Sequence, residues 1–302
     1  MKLTAIGYSL AMTTALGVSA YAQAPQPDFS KVQIKTTKIT DNFYTLEGQG
    51  GTIGVLTGPD GVFMVDSEFA PLSEKIAAAI HEVSDRPVRF MVNTHVHGDH
   101  TGGNANFAKM GVTIFGRDEL RYRLAHPSPA ANGTPGVPAP PEALPVVTYE
   151  GPVTFHMDGE EVHLIPIRRA HTDGDTLVQF TKADILMTGD YFRSLGYPNI
   201  DRTNGGSLNG MLAGLGTTIG LAGPNTKIIP GHGVTVDRNG LIAHRDMILV
   251  IRDRVKALVA EGKSVDEVLA AKPTSEYDDK VPSASTTSER FIRQLYAELK
   301  TN

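Results

Sequence analysis

The chain has 302 residues, 40% of them hydrophobic and 20% charged, with a formal net charge of -5 at neutral pH. A polymer of this size buries a substantial core, and its acidity, with no Lys/Arg-rich run, excludes non-specific nucleic-acid binding as its role. Cysteine is absent, so no thiolate can ligate a metal.

Residues 1–22 read as a signal peptide: Lys2 supplies the positive start, Thr4 to Val18 the apolar run, and Ala20-Tyr21-Ala22 the small-x-small cleavage site. Cleavage after Ala22 would place the mature protein in a periplasm or the medium. The apolar run is short for a membrane span, contains Ser9, Thr13 and Thr14, and precedes no cysteine that could carry a lipid. No stable membrane insertion is therefore expected. Residues 23–40, with Ala24-Pro25-Gln26-Pro27, read as a linker, and 41–302 as one folded domain.

From Phe43 the pattern turns to strands. Phe43–Leu46, Thr52–Leu56 and Gly61–Val65, separated by Gly48-Gln49-Gly50-Gly51 and Gly58-Pro59-Asp60-Gly61, predict an antiparallel meander. Asp66 ends its third strand, and an amphipathic helix is predicted from Pro71 to about Val83, with His81 on its polar face. A strand at 89–93 then leads into Asn93-Thr94-His95-Val96-His97-Gly98-Asp99-His100-Thr101-Gly102-Gly103.

Four side chains able to ligate a metal fall within six residues of that stretch, which makes it a compact cation site. His95 and His97, two apart in extended backbone, point to one side and can hold one cation; Asp99 and His100, on the turn that begins a helix, can aim at a second. Imidazole and carboxylate without thiolate suit Zn2+ first, then Fe or Mn.

A helix at Asn104–Lys109, a strand at Val112–Phe115 and a helix at Arg117–Leu124 follow. Residues 127–145, rich in Pro, Ala and Gly, read either as a substrate-covering loop or as a solvated insertion. In the second half, Val153–Met157 and Val162–Ile167 pair across Asp158-Gly159, and Thr176–Phe180 and Ile185–Thr188 add two strands. His171, Asp190 and His232 each follow an apolar run and stand beside Gly or Asp, where strand-end loops converge on a site. Tyr191, Arg193 and Tyr197 either line that pocket, with Arg193 facing a substrate carboxylate, or pack at its rim. His126, His156, His163 and His244 read as surface or packing residues. Helices over 239–260, 265–271 and 289–299 should cover one face of a sheet.

Asp66, the run His95–His100, His171, Asp190 and His232 stand in the order of the five sequence elements of the metallo-β-lactamase-fold hydrolases, across residues 40–245. The chain resembles that superfamily. The resemblance implies an α/β (α+β) fold, a four-layered αβ/βα sandwich, and two Zn2+ per chain. His95, His97 and His171 would hold the first metal, Asp99, His100 and His232 the second, and Asp190 would bridge them. It also implies hydrolysis by a metal-bound hydroxide, because two cations lower the pKa of a shared water from ~15.7 toward ~7. Asp99, the candidate catalytic residue, would take the hydroxide's proton after attack. Asp66 reads either as acceptor for a ligand imidazole N–H or as a helix N-terminal carboxylate.

Asp190 occupies the position at which lactamases of this type carry a cysteine ligand, a departure that resembles glyoxalase II and lactonases. Export takes glutathione thioesters and RNA out of reach and leaves small-molecule lactams, lactones and esters. The expected reaction is the opening of cyclic amides or esters, with weak β-lactam cleavage. Two other readings are a persulfide-dioxygenase-like mono-iron oxidoreductase, against which the full two-metal ligand set stands, and a non-catalytic periplasmic zinc-binding protein. Specificity is expected to lie in loops 127–145 and 193–210.

Overall fold

Alternating apolar side chains along short strands build two sheets, each with helices on one face. The computed structural model describes residues 28–129 and 133–301, so the signal peptide expected over 1–22 lies outside the described residues. The first half runs β1 (Lys35–Lys38), β2 (Phe43–Glu47), β3 (Ile53–Leu56), β4 (Val62–Val65), α1 (Ser73–His81), β5 (Val88–Val92), α2 (Gly98–Thr101), α3 (Asn104–Lys109), β6 (Thr113–Arg117), α4 (Asp118–Ala125) and β7 (Val147–Tyr149). The strands lie in the order β1-β2-β3-β4-β5-β6-β7, antiparallel up to β4 and parallel from there. The second half runs β8 (Val153–Met157), β9 (Glu160–Ile167), β10 (Asp175–Phe180), β11 (Ile185–Met187), α5 (Leu208–Leu221), β12 (Lys227–Ile229), α6 (Arg238–Ala260), α7 (Val265–Ala270) and α8 (Ala284–Thr301). Its sheet has the order β12-β11-β10-β9-β8.

The period of two along a strand sorts side chains between layers. In β4, Phe63 and Val65 enter the core between the sheets, while Val62 and Met64 meet α1 and α3 on the outer face. In β10, Val178 and Phe180 enter the same inter-sheet core, while Leu177 joins Met211 of α5, Ile251 of α6 and Leu295 of α8. The layers are therefore helix, sheet, sheet, helix, the αβ/βα sandwich. Aromatic rings lock the inner layer, with Phe43 and Phe180 at 4.6 Å and Phe63 and Phe155 at 5.0 Å between centroids. Each such ring contributes about 1.5–3 kcal/mol through burial.

Strand direction decides where the site lies. β4, β5, β11 and β12 all end at one edge of the sandwich, and the β2–β3 and β9–β10 connections turn back there. At the opposite edge the two hairpin turns are tied reciprocally: Asp60 N donates to Asp158 Oδ1 (2.8 Å) and Asp158 N to Asp60 Oδ2 (2.7 Å).

Two segments differ from expectation. Residues 35–38, assigned to the linker 23–40, form β1, paired in register from Lys35↔Glu47 to Lys38↔Tyr44. The run Lys-Thr-Thr-Lys carries no apolar alternation; backbone pairing holds it, and its lysines suit an exposed sheet edge. The Gly-rich run 208–221 forms α5, which buries Leu208, Met211, Leu215 and Ile219 at helical spacing. Its start is fixed by Ser207 Oγ, accepting from Gly210 N, and by the buried Glu298 carboxylate of α8, accepting from Leu208 N, where a negative charge suits the helix dipole.

Candidate metal centre

All seven expected ligands meet at the strand-end edge. They form two groups, His95, His97, His171 and Asp190 in one and Asp99, His100 and His232 in the other, with the ligand atoms of each group within 4.8 Å of one another. Four come from the loop after β5 and three from the loops after β9, β11 and β12, so each group draws on both sheets. His97 is extended and α2 starts immediately after it, which separates the His95–His97 pair from Asp99 and His100.

Hydrogen bonds on the outer nitrogens fix which imidazole atom faces inward. His171 Nδ1 donates to the Asn199 carbonyl (2.7 Å), leaving Nε2 2.9 Å from His97 Nδ1 and 3.9 Å from Asp190 Oδ2. His97 is turned the other way, with Nε2 2.7 Å from Asp201 Oδ2. His100 Nδ1 lies 2.7 Å from Asp66 Oδ2, while its Nε2 lies 3.4 Å from both His232 Nε2 and Asp190 Oδ1. His232 Nε2 is 3.0 Å from Asp99 Oδ2. Asp190 thus turns Oδ2 toward the first group and Oδ1 toward the second, the disposition of a bridging carboxylate.

The residues present fit divalent cations. His95 Nε2 and Asp190 Oδ1 are sealed from solvent without a hydrogen-bond partner, a state that buried polar atoms avoid unless something satisfies them. Nitrogen and carboxylate oxygen donors alone suit Zn2+, Fe or Mn. Outer-nitrogen hydrogen bonds of the kind made by Asp66, Asp201 and Asn199 orient imidazole ligands.

Charge in the cluster is divided unevenly. Burial, and then the charge of His100, holds His95 well below the usual histidine range, and burial brings His171 down to about 4. Burial also opposes protonation of His100, but Asp66 and Asp190 outweigh it and raise its pKa well above the usual histidine range. For His97, the Asp201 hydrogen bond overcomes burial and raises the pKa. Burial works against ionisation of Asp99, yet its bond to His232 and the charge of His100 bring it down to about 2.

Backbone holds the cluster from both sides. A Cβ on Gly231 would lie 2.0 Å from Asp190 Oδ1, so the loop after β12 can pass the bridging carboxylate only as glycine. Gly51 N donates to Asp99 O (3.0 Å) and Thr52 N to Gly231 O (2.8 Å). The buried Glu68 accepts from Gly48 N, Gln49 N and Gly50 N at 2.7, 3.0 and 2.9 Å, pinning the β2–β3 loop beside Asp99. Sequence reasoning missed Glu68, Asn199 and Asp201. Asp201 caps the turn ending at Asn204, so its only signal was turn chemistry.

Of the residues after Asp190, Tyr191 is buried in the core and bonded to Thr218 Oγ1 (2.7 Å), and Tyr197 is bonded to Asp278 (2.8 Å). Neither lines the centre. Arg193 does reach it, with NH1 3.5 Å from Asp190 Oδ2. His81, His126 and His156 are exposed and His163 is half-buried, all outside the cluster, and His244 packs on the Phe192 ring at 4.9 Å. Among the described residues, no helix is long and apolar enough to cross a membrane.

Similar architectures occur in solved structures. A stereoselective inverting sec-alkylsulfatase from Pseudomonas sp. superposes with a TM-score of 0.66 at 16% identity, over 87% of this chain and 50% of its own. The chain thus spans about half the length of that sulfatase. A metallo-beta-lactamase from Pontibacter korlensis matches with a TM-score of 0.58 at 20% identity, over 72% of this chain and 99% of its own. The DIM-1 metallo-beta-lactamase gives 0.58 at 18%, over 72% and 98%. A sequence profile of the metallo-beta-lactamase superfamily matches residues 46–241, nearly two thirds of the chain and every ligand position. With that match, and with the ligands gathered at the strand-end edge of an αβ/βα sandwich, the chain belongs to the metallo-beta-lactamase superfamily.

Proposed function

We propose that the chain is an exported, zinc-dependent hydrolase that opens cyclic amides or esters of the β-lactam or lactone type. The observation that carries the reading is Asp190, a buried carboxylate whose two oxygens face two different ligand groups. Two Zn2+ held there would supply Lewis acidity at a carbonyl oxygen and a water acidic enough to ionise near neutral pH.

The chain's own residues supply orientation and proton handling. Asp66, Asn199 and Asp201 aim the imidazoles. The Asp99 side chain, 28% exposed against 4% for Asp190, is the carboxylate that substrate can reach. It is the group that would take the hydroxide's proton after attack and pass it to the leaving nitrogen or oxygen. Ring substrates are favoured by export and by the names of the two similar lactamases, while a carboxylate at 190 in place of a thiolate favours lactones over lactams.

The test is metal analysis combined with a substrate panel: a penicillin, a cephalosporin, a carbapenem, an acyl lactone, a phosphodiester and a secondary alkyl sulfate. Close to two Zn2+ per chain, loss of turnover with chelator, recovery with zinc, and the highest kcat/KM on a ring substrate are expected. Turnover of the phosphodiester or sulfate with none of any ring would overturn the reading. An iron-rich protein consuming O2 with a thiol would establish the mono-iron oxidoreductase instead, and a zinc-loaded protein inert to the whole panel would establish a metal carrier. Export is tested separately, by a mature N-terminus at Gln23.

A further inference from the structure

Between α8 and residues 199–203 the surface opens into a cleft of about 640 Å3, the size of a small-molecule site. One wall is a single face of α8, where Thr286, Arg290, Arg293 and Ala297 recur at helical spacing with Glu289 and Gln294 beside them. That face lies beyond residues 46–241, the stretch matched by the superfamily profile. No metal ligand lines the cleft.

Much of its charge is already committed. Arg293 Nε donates to Glu289 Oε1 (2.8 Å) and its NH2 to Asp266 Oδ1 (3.5 Å). Asp201 holds His97 Nε2 and accepts from Asn204 N (3.1 Å) and Asn204 Nδ2 (2.6 Å). Two guanidiniums are left, one on each wall. Arg202 is exposed and makes no ion pair or side-chain hydrogen bond among the described residues. Arg290 is half-buried: its NH2 donates to Tyr197 O (3.3 Å), its Nε is sealed without a partner, and no carboxylate pairs with it among the described residues. Elsewhere Arg123, Arg245, Arg252 and Arg254 each find a carboxylate, so two unpaired arginines facing one cleft stand out in an acidic chain.

The loop wall is tied to the metal centre. Gln294 clamps it with both amide atoms, Nε2 donating to Asn199 Oδ1 (2.8 Å) and Oε1 accepting from Ile200 N (3.0 Å). The same short stretch aims the first ligand group, since Asn199 O accepts from His171 Nδ1 and Asp201 Oδ2 lies 2.7 Å from His97 Nε2.

We propose that this cleft is an effector site for a small oxyanion, gripped between Arg202 of the loop and Arg290 of α8, and that its occupancy is coupled to the cation held by His95, His97 and His171. Guanidinium forks match the oxygens of sulfate, phosphate and carboxylate groups. An anion joining the two walls holds residues 199–201 against α8, in the arrangement that already aims both imidazoles. Such coupling is reciprocal, so cation binding raises anion affinity by the same factor. Binding stands on the cleft alone, while the coupling rests on the metal-centre reading.

Sulfate, doubly charged and a weak ligand of zinc, is the probe. Calorimetry on zinc-loaded protein should show saturable binding, weakened about tenfold or more in Arg202→Met and in Arg290→Met, the scale of a hydrogen bond to a charged group. Arg202 is exposed, so its variant should keep the wild-type melting temperature. Arg290→Lys, which retains the charge, should bind more tightly than Arg290→Met. In competition with a chromophoric chelator, sulfate should raise zinc affinity at one of the two positions by about fivefold or more. Gln294→Ala should bind sulfate and lose that increase. No saturable binding, or binding unchanged in both methionine variants, overturns the site. Sulfate bound with zinc affinity unchanged overturns the coupling. Failure to take up zinc overturns the metal-centre reading alone, since titrating that protein with sulfate still decides the site.

Discussion

His100 Nδ1 lies 2.7 Å from Asp66 Oδ2, and the same carboxylate accepts from Thr94 N and Thr94 Oγ1, each at 2.7 Å. Asp66 holds this position in left-handed backbone, at φ 64, so the chain adopts an unfavourable conformation to place it. Asp66→Ala frees the His100 ring to turn. Affinity for one of the two cations should fall about 10–100-fold, as read by competition with a chromophoric chelator. Two unchanged affinities would remove Asp66 from the centre's machinery.

Asp190 is the residue on which both ligand groups depend. In Asp190→Ala, metal content should drop from near two per chain to one or fewer. The kcat/KM should fall together with it, by at least about a hundredfold, since in the proposed mechanism several kcal/mol of transition-state stabilisation would depend on the metals. Normal turnover in this variant would eliminate the two-metal mechanism.

Gly231→Ala tests the same carboxylate through the backbone. The added methyl meets Asp190 Oδ1 at 2.0 Å, so either the loop or the carboxylate must move. A loss of about tenfold or more in kcat/KM is expected, with about 1–3 kcal/mol of strain. Gly216→Ala, where a Cβ meets nothing within 4 Å on α5, serves as control and should be neutral or stabilising by up to about 1 kcal/mol.

His244 gives a pH dependence independent of the metals. Burial alone pulls its imidazole from the ordinary 6.5 down to about 4. Between those values the unfolded chain binds the extra proton, so stability falls as pH is lowered. The contribution is whole above pH 6.5 and lost as pH falls to about 4. His244→Leu should remove about 2 kcal/mol of the acid destabilisation over that window, visible as a flatter plot of urea midpoint against pH in chelator-treated protein.

The centre was legible because its ligands stand at strand ends beside glycine, and the side-chain types at 95–100 leave few alternative chemistries. The inter-sheet core was legible for a similar reason, since Phe63 and Val65 alternate with Val62 and Met64 in the period of a strand. What stayed hidden depends on contacts between distant residues. β1 exists because β2 offers its backbone, and α5 because Leu215 and Ile219 find the core although glycines at 210, 214, 216 and 220 weaken the helix. Asp201 and Glu68 look like ordinary turn residues until folding brings one to His97 and the other to the β2–β3 loop.

Because each ligand group takes members from both halves of the chain, a cation at either position is also a crosslink between the two sheets. The ion's binding free energy then adds directly to the stability of the assembled sandwich. Neither half contains a complete group by itself, so a chain nicked in the loop that separates them would become a two-piece protein whose reassembly follows free metal concentration. Metal supply would then govern both whether the sandwich acts and how long it survives where proteases are present.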